Sequence, residues 1–290
     1  MIIVESAGIS NIGKKRNQNE DALFFDDTMG LYVVADGMGG HLAGEVASRL
    51  VVETMRDYIQ HQNENEQPEN PIDGDGNLSR EAKHLLSSIR LSNQLVHQAS
   101  LKNESYRGMG STVSAVYFTN NTFIIANVGD SPIYLIRNGR ITLLSVPHTV
   151  FAEQTARDPE SAELLDSKFK HILTRAMGVD KSVQTHIHET PCYSNDILVI
   201  SSDGLSDKAS PEEILQVVEF NSSDKACQEL VDLANERGGD DNVTAIVLKV
   251  KYVQNTHRRV MDFLTHMKRL NLKEQIKKKV FRNADRDAKI

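Results

Sequence analysis

The sequence predicts an α+β protein in which two antiparallel sheets are covered by paired helices. Two patterns carry that expectation. Short apolar runs in the middle of the chain are joined by Asn120-Asn121, Gly129-Asp130-Ser131-Pro132 and Asn138-Gly139, and Asn-Gly between apolar runs is the strongest short hairpin signal. Helical spacing of apolar residues comes in consecutive pairs, at 42–60 with 80–102 and at 211–220 with 223–236. Hairpins with paired helices suit this architecture better than a doubly wound parallel sheet.

The elements follow in order. Leu31-Tyr32-Val33-Val34-Ala35 is a continuous apolar run and reads as a buried strand; no element is assigned before it. From Leu42 to Tyr58, Ala43, Val46, Ala47, Leu50, Val51, Thr54 and Met55 recur at helical spacing, giving an amphipathic helix over 42–60. Residues 61–79 are polar and rich in Asn, Gln, Pro and Gly, which predicts a mobile loop. The helix over 80–102 turns Leu85, Leu86, Ile89, Val96 and Ala99 inward. Strands are expected at 112–118, 122–128, 133–137 and 141–144. Residues 147–190 lose this regularity and read as an irregular flap with a short helix, in which His186 and His188 share a solvent-facing strand face. A buried strand at 197–201, the second helix pair and a strand at 243–250 complete the body.

Composition narrows the function. The net charge of −7 is divided: residues 252–290 carry 11 Lys and Arg against 4 Asp and Glu, leaving −14 on residues 1–251. No apolar run is long enough to span a bilayer, and Met1-Ile2-Ile3-Val4-Glu5 has no basic segment before its apolar stretch. Cys192 and Cys227 lack the spacing of a zinc site or a disulfide framework, so a reducing cytoplasmic location is expected.

Acidic residues recur in short segments of small or turn-forming residues, most of them beside an apolar run. These segments are Arg16-Asn17-Gln18-Asn19-Glu20-Asp21, Asp36-Gly37-Met38-Gly39-Gly40-His41, Gly129-Asp130-Ser131, Ser202-Asp203-Gly204 and Gly239-Asp240-Asp241-Asn242. Carboxylates gathered at strand ends, with no Cys or His to match them, suit hard divalent cations bound through oxygen. With Gly110-Ser111-Thr112, Leu173-Thr174-Arg175-Ala176-Met177-Gly178 and Val243-Thr244, the segments resemble, in order and spacing, the metal-dependent serine/threonine protein phosphatases of the PPM (type 2C) family in their bacterial form. The match runs from about Ile3 to Val250.

The resemblance implies a central antiparallel β-sandwich flanked by two layers of paired antiparallel helices, with two Mn²⁺ or Mg²⁺ ions at one end. Residues 1–251 would form the phosphatase domain, and 252–290 a basic amphipathic helical tail. Asp36 would bridge the two ions and the Gly37 carbonyl would complete one of them. Asp203 and Asp241 would bind the other, while Glu20 and Asp21 act through bound waters. Arg16 matches the phosphate-binding arginine, and Asp130, Asp203 and Asp207 the ligands of a third, weaker ion. His41 is a candidate proton donor to the leaving alcohol, with helix capping as its alternative role.

The chemistry independently asks for these residue types. Phosphate monoesters hydrolyse very slowly unaided. Two ions roughly 3.5–4 Å apart acidify a shared water and screen the dianion, and a guanidinium fork fits two phosphate oxygens. No phosphoenzyme is required, and no Cys-x5-Arg loop is present. Two positions depart from the family pattern. Pro132 stands where Arg usually follows Gly-Asp-Ser, and Pro147 where an acid usually precedes His148. The expected substrates are phosphoserine and phosphothreonine proteins, with a serine/threonine kinase as the opposing enzyme and a monomeric state. The alternatives are a regulatory pseudophosphatase and a phosphatase narrowed to one phosphoprotein. The tail would fold back on the acidic body or contact a partner or anionic surface; no nucleic-acid motif accompanies it.

Overall fold

The computed structural model describes residues 2–39, 43–64, 78–162, 165 and 167–253. Its strands are β1 (Ile2–Asn11), β2 (Asp21–Asp26), β3 (Leu31–Met38), β4 (Gly110–Ser111), β5 (Val113–Thr119), β6 (Thr122–Val128), β7 (Ile133–Arg137), β8 (Arg140–Leu143), β9 (His186–Pro191), β10 (Ile197–Ser201) and β11 (Val243–Val253). The helices are α1 (Ala43–Glu64), α2 (Arg80–Lys102), α3 (Val150–Arg157), α4 (Pro159–Ala162), α5 (Asp203–Ser206), α6 (Pro211–Phe220) and α7 (Ser223–Glu236). One sheet runs β1-β11-β10-β7-β8 and the other β2-β3-β5-β6-β9, with β4 attached to β3. All pairings are antiparallel.

Alternation along the strands sorts side chains into three layers of core. Tyr32, Val34, Phe123 and Ile125 meet Ile133, Leu198, Ile200, Ile246 and Leu248 between the sheets. Their sheet neighbours Leu31, Val33, Ala35, Ile124 and Ala126 face outward, against Ala47, Val51, Met55, Leu85 and Ile89 of α1 and α2. On the other side Val199, Ala245 and Val247 receive Ile214, Val218, Leu230 and Val231 of α6 and α7. Each of the Val, Leu, Ile, Phe and Met side chains among them contributes roughly 1.5–3 kcal/mol on leaving water. Local signals agree with the packing. Ser79 caps α2 by accepting the Ala82 N–H at 3.1 Å, and Ser210 and Glu213 form a reciprocal capping box on α6. Asn138 and Gly139 both take positive φ (53° and 70°), as the two-residue hairpin between β7 and β8 requires.

Four expectations need correction. Strands β1 and β2 occupy stretches to which the sequence pattern assigns no element. In β1, Gly8 interrupts the apolar run because the Phe25 ring lies 2.9 Å from where its Cβ would be. Helix α1 runs on to Glu64 rather than stopping at 60. Its polar end is held by burial of Gln62 and by a hydrogen bond from the Tyr117 hydroxyl to Asn63 at 3.2 Å; residues 65–77 of the expected loop lie outside the described residues. The flap is shorter than 147–190, because its last residues enter β9. There His186 and His188 are half-buried opposite Asn127 and Ile125 instead of facing solvent. The remaining boundaries agree within a few residues. No helix among the described residues is long and apolar enough to cross a membrane. The expected tail lies outside the described residues from 254 onward.

Candidate active site

Strand registers bring the acidic segments to one end of the sandwich. Asp21 opposes Asp36 across β2 and β3, and Val113 opposes Val128 on the same sheet. On the other sheet Asn11 opposes Val243 and Ser201 opposes Ala245. The loops at 12–20, 129–132 and 239–242 and the start of α5 therefore converge. They line a cleft of about 700 Å³ that contains Arg16, Glu20, Asp36, Asp130, Asp203 and Asp241, together with the flap residues His171, Arg175 and Val179.

Each acid is held by its surroundings. Asp36 is fixed through its backbone: its N–H donates to Thr112 Oγ1 at 3.0 Å, and its carbonyl accepts from Ser111 Oγ at 3.0 Å and from the Thr112 N–H at 2.8 Å. Asp21 is buried, and its Oδ2 accepts from Ser202 Oγ at 2.8 Å and Thr244 Oγ1 at 2.7 Å. Asp241 accepts the Asn242 N–H on Oδ1 at 2.8 Å and Arg16 Nη2 on Oδ2 at 2.7 Å. The Glu20 carbonyl accepts the Gly37 N–H at 3.0 Å and Ser48 Oγ at 2.5 Å, which ties β3 and α1 to the N-terminal loop. Glycine is required at 37, because a Cβ there would lie 2.1 Å from the Gly44 carbonyl oxygen.

These carboxylates raise one another's affinity for protons. Burial, followed by the charges of Asp21, Asp203, Asp241 and Asp130, pushes Asp36 well above the usual carboxylate range. Burial raises Asp21 to about 7 against the opposing pull of the two hydroxyls, and raises Asp130 to about 7 with the Asp203 charge added. Asp203 and Asp207 are also raised, chiefly by burial. A buried group of like charges needs a compensating cation or protons. Asp21 Oδ1 is buried without a hydrogen-bond partner, which leaves an oxygen free for a cation or its bound water. The residues present therefore fit oxygen-bound divalent ions.

Placement of the expected site residues is uneven. Arg16, Glu20, Asp21, Asp36, Gly37, Asp130, Asp203 and Asp241 gather as the sequence suggests. Asp203 and Asp207 also meet His171, all three within 4.8 Å by their ligand atoms. Asp130 is not in that tight group, though its carboxyl feels the charges of Asp203 and Asp207. His171 had no sequence signal, because only folding of the flap brings it there. His41 lies outside the described residues. Ser202, Thr244 and Asn242 lie inside the recognised segments, but their roles as buried hydrogen-bonding partners were missed, because the partners are far away in sequence.

The two proline departures have simple settings. The Pro132 carbonyl accepts the Ser201 N–H at 3.1 Å, a bond that needs no N–H from residue 132. Pro147 lines a second cleft with Phe151, Lys170 and Asp207, which shares Asp130, His171 and Asp203 with the first. Next to it, His148 Nδ1 accepts the Gly129 N–H at 3.1 Å, and burial with the nearby Arg175 and His186 charges lowers its pKa to about 4. His148 thus stays neutral and joins the base of the flap to the Asp130 loop.

An acid-lined metal end on an α-β-β-α sandwich, with an arginine paired to one of the acids, defines a class of divalent-cation phosphoester hydrolases. The protein phosphatase 2C family model matches residues 8–246, and the chain belongs to that family. A protein phosphatase 2C-type protein of Streptococcus pyogenes is 34% identical over 241 residues, covering 81% of this chain and 93% of that one. The crystal structure of the Mycobacterium tuberculosis serine/threonine phosphatase PstP/Ppp superposes with a TM-score of 0.74 at 29% identity, covering 87% and 100% of the two chains. A structure of the PstP catalytic domain in complex with two manganese ions superposes at 0.71 with 28% identity and the same coverage.

Proposed function

We propose that this protein hydrolyses phosphoserine and phosphothreonine in proteins, with two Mn²⁺ or Mg²⁺ ions and no phosphoenzyme. The convergence of Asp21, Asp36, Asp203 and Asp241 beside an Asp241-bound Arg16 carries this reading. In it, Asp36, the Gly37 carbonyl, Asp203 and Asp241 would hold the two ions, with Asp36 contributing to both. Glu20 and Asp21 would act through bound water, and Asp130, Asp203 and Asp207 would hold a third, weaker ion. When bound, the ions supply an acidified water and screen the phosphate dianion.

The chain's own groups do the rest. Asp241 holds Arg16 through one nitrogen, leaving the other N–H groups of the guanidinium for two phosphate oxygens. Because Asp36 and Asp21 hold protons more tightly than ordinary carboxylates, loading the site with cations releases protons from them and is favoured as pH rises. His41 is the proposed donor to the leaving alcohol. The domain spans 1–251, and the protein acts as a cytoplasmic monomer opposing a serine/threonine kinase. The free, buried Cys192 and Cys227 are consistent with a reducing compartment.

The test is phosphate release from a phosphothreonine peptide with Mn²⁺, with EDTA, and from Asp241→Asn protein with Mn²⁺. The expected result is turnover that needs metal and falls at least ~100-fold in the variant, the scale of losing a positioned electrostatic group. Absence of turnover by folded, Mn²⁺-loaded protein on several peptides would overturn the proposal.

A further inference from the structure

Arg16 is long and half-exposed, with 49% of its side chain open to solvent. Packing does not hold it, so its place depends on the loop at 12–20. That loop is organised around one buried side chain, Asn242, which is 5% exposed. Asn242 Oδ1 accepts the Glu20 N–H at 2.8 Å, and Nδ2 donates to the Ile12 and Gln18 carbonyls, both at 2.9 Å. The amide therefore grips the loop near both ends, with Arg16 between the grips. Its own backbone N–H turns Asp241 Oδ1 inward, leaving Oδ2 to accept Arg16. The Asn242 carbonyl also lies 2.0 Å from where a Gly204 Cβ would be, so the start of the helix bearing Asp203 rests on the same residue.

We propose that Asn242 is a positioning residue, which sets the distance between the phosphate-binding Arg16 and the metal-binding Asp241 and Glu20. Only a primary amide of this length supplies an acceptor and two donors together. Aspartate keeps the acceptor, loses both donors and turns one carboxylate oxygen toward two carbonyls. Neighbouring bonds from the Lys14 and Lys15 N–H groups to the Gly239 carbonyl, at 2.8 and 3.1 Å, keep the loops adjacent but do not orient Arg16. Loss of the amide should therefore loosen the guanidinium while the loops stay together.

The proposal rests on the reading of Arg16 as the phosphate ligand. The test uses full-length, Mn²⁺-loaded protein with p-nitrophenyl phosphate as substrate and inorganic phosphate as inhibitor. Asn242→Asp, Asn242→Ala, Arg16→Ala and the double variant Asn242→Ala with Arg16→Ala are compared, with thermal unfolding to confirm that each is folded. Asn242→Ala removes the same two donations without adding charge, so it stands in if Asn242→Asp does not fold. The Asn242 variants should weaken phosphate inhibition and raise KM by about tenfold, with a smaller change in kcat. In the double variant the Asn242 substitution should add nothing to the loss from Arg16→Ala, since the group it positions is gone. Unchanged phosphate inhibition in a folded Asn242 variant, or full additivity in the double variant, overturns the proposal. A separate failure is Arg16→Ala leaving phosphate inhibition unchanged, which overturns the underlying assignment of Arg16.

Discussion

At the scale of residues, the site is a balance between buried carboxylates and whatever compensates them. Asp21 has a pKa near 7 in the fold, against about 4 in an unfolded chain. Between those values the native protein binds a proton that the unfolded chain releases, so this group's contribution falls as pH rises from about 4 to about 7. In EDTA, wild-type protein should lose more stability than Asp21→Asn across that window, by on the order of 4 kcal/mol. Denaturant unfolding at several pH values measures the difference, and parallel curves for the two proteins would refute it. Saturating Mn²⁺ should restore stability most strongly above pH 7, where no proton competes for the carboxylate. The acids were legible because each lies in a recognisable short segment. Asn242, Ser202 and Thr244 stand in the same segments, but which group each of them bonds shows only once the partners are placed.

Among the elements, the flap shows how one side chain of a neighbouring helix can anchor a loop. Asn93 of α2 accepts the Gly178 N–H at 2.8 Å and donates to the Asp180 and Lys181 carbonyls at 3.0 and 3.2 Å. Gly178 packs closely on α2 at a φ of +83°, where a Cβ would lie 2.2 Å from Val96 Cγ1. Asn93→Ala should free this end of the flap and lower stability by about 1–3 kcal/mol through unpaired buried backbone groups. KM for a phosphoprotein should rise more than KM for p-nitrophenyl phosphate, and proteolysis within 147–185 should quicken. Equal KM changes for both substrates would remove the flap from substrate docking. The sequence showed the helices and the hairpins because their signals are local: periodicity, capping residues and Asn-Gly. It did not show β1 or β9, whose pairing is set by distant partners, nor β2, a six-residue edge strand that pairs locally with β3.

For the whole molecule, the sandwich interior carries the stability on which the site depends. Leu248 is fully buried between the sheets, and Leu248→Ala should lower unfolding free energy by about 2–5 kcal/mol while leaving kcat of the folded fraction near wild type. A loss below about 1 kcal/mol in urea would show that the core relaxes around the cavity. The overall architecture was readable from hairpins and helix pairs, but the strand order was not, because it joins the beginning of the domain to its end. That closure has a consequence for biosynthesis. β1 pairs along its length with β11, and Arg16 is hydrogen-bonded to Asp241. A nascent chain still lacking β11 leaves the inner edge of β1 open and has no cradle for the arginine. Contacts so remote in sequence are slow to form, so catalytic competence waits until translation has passed the last strand.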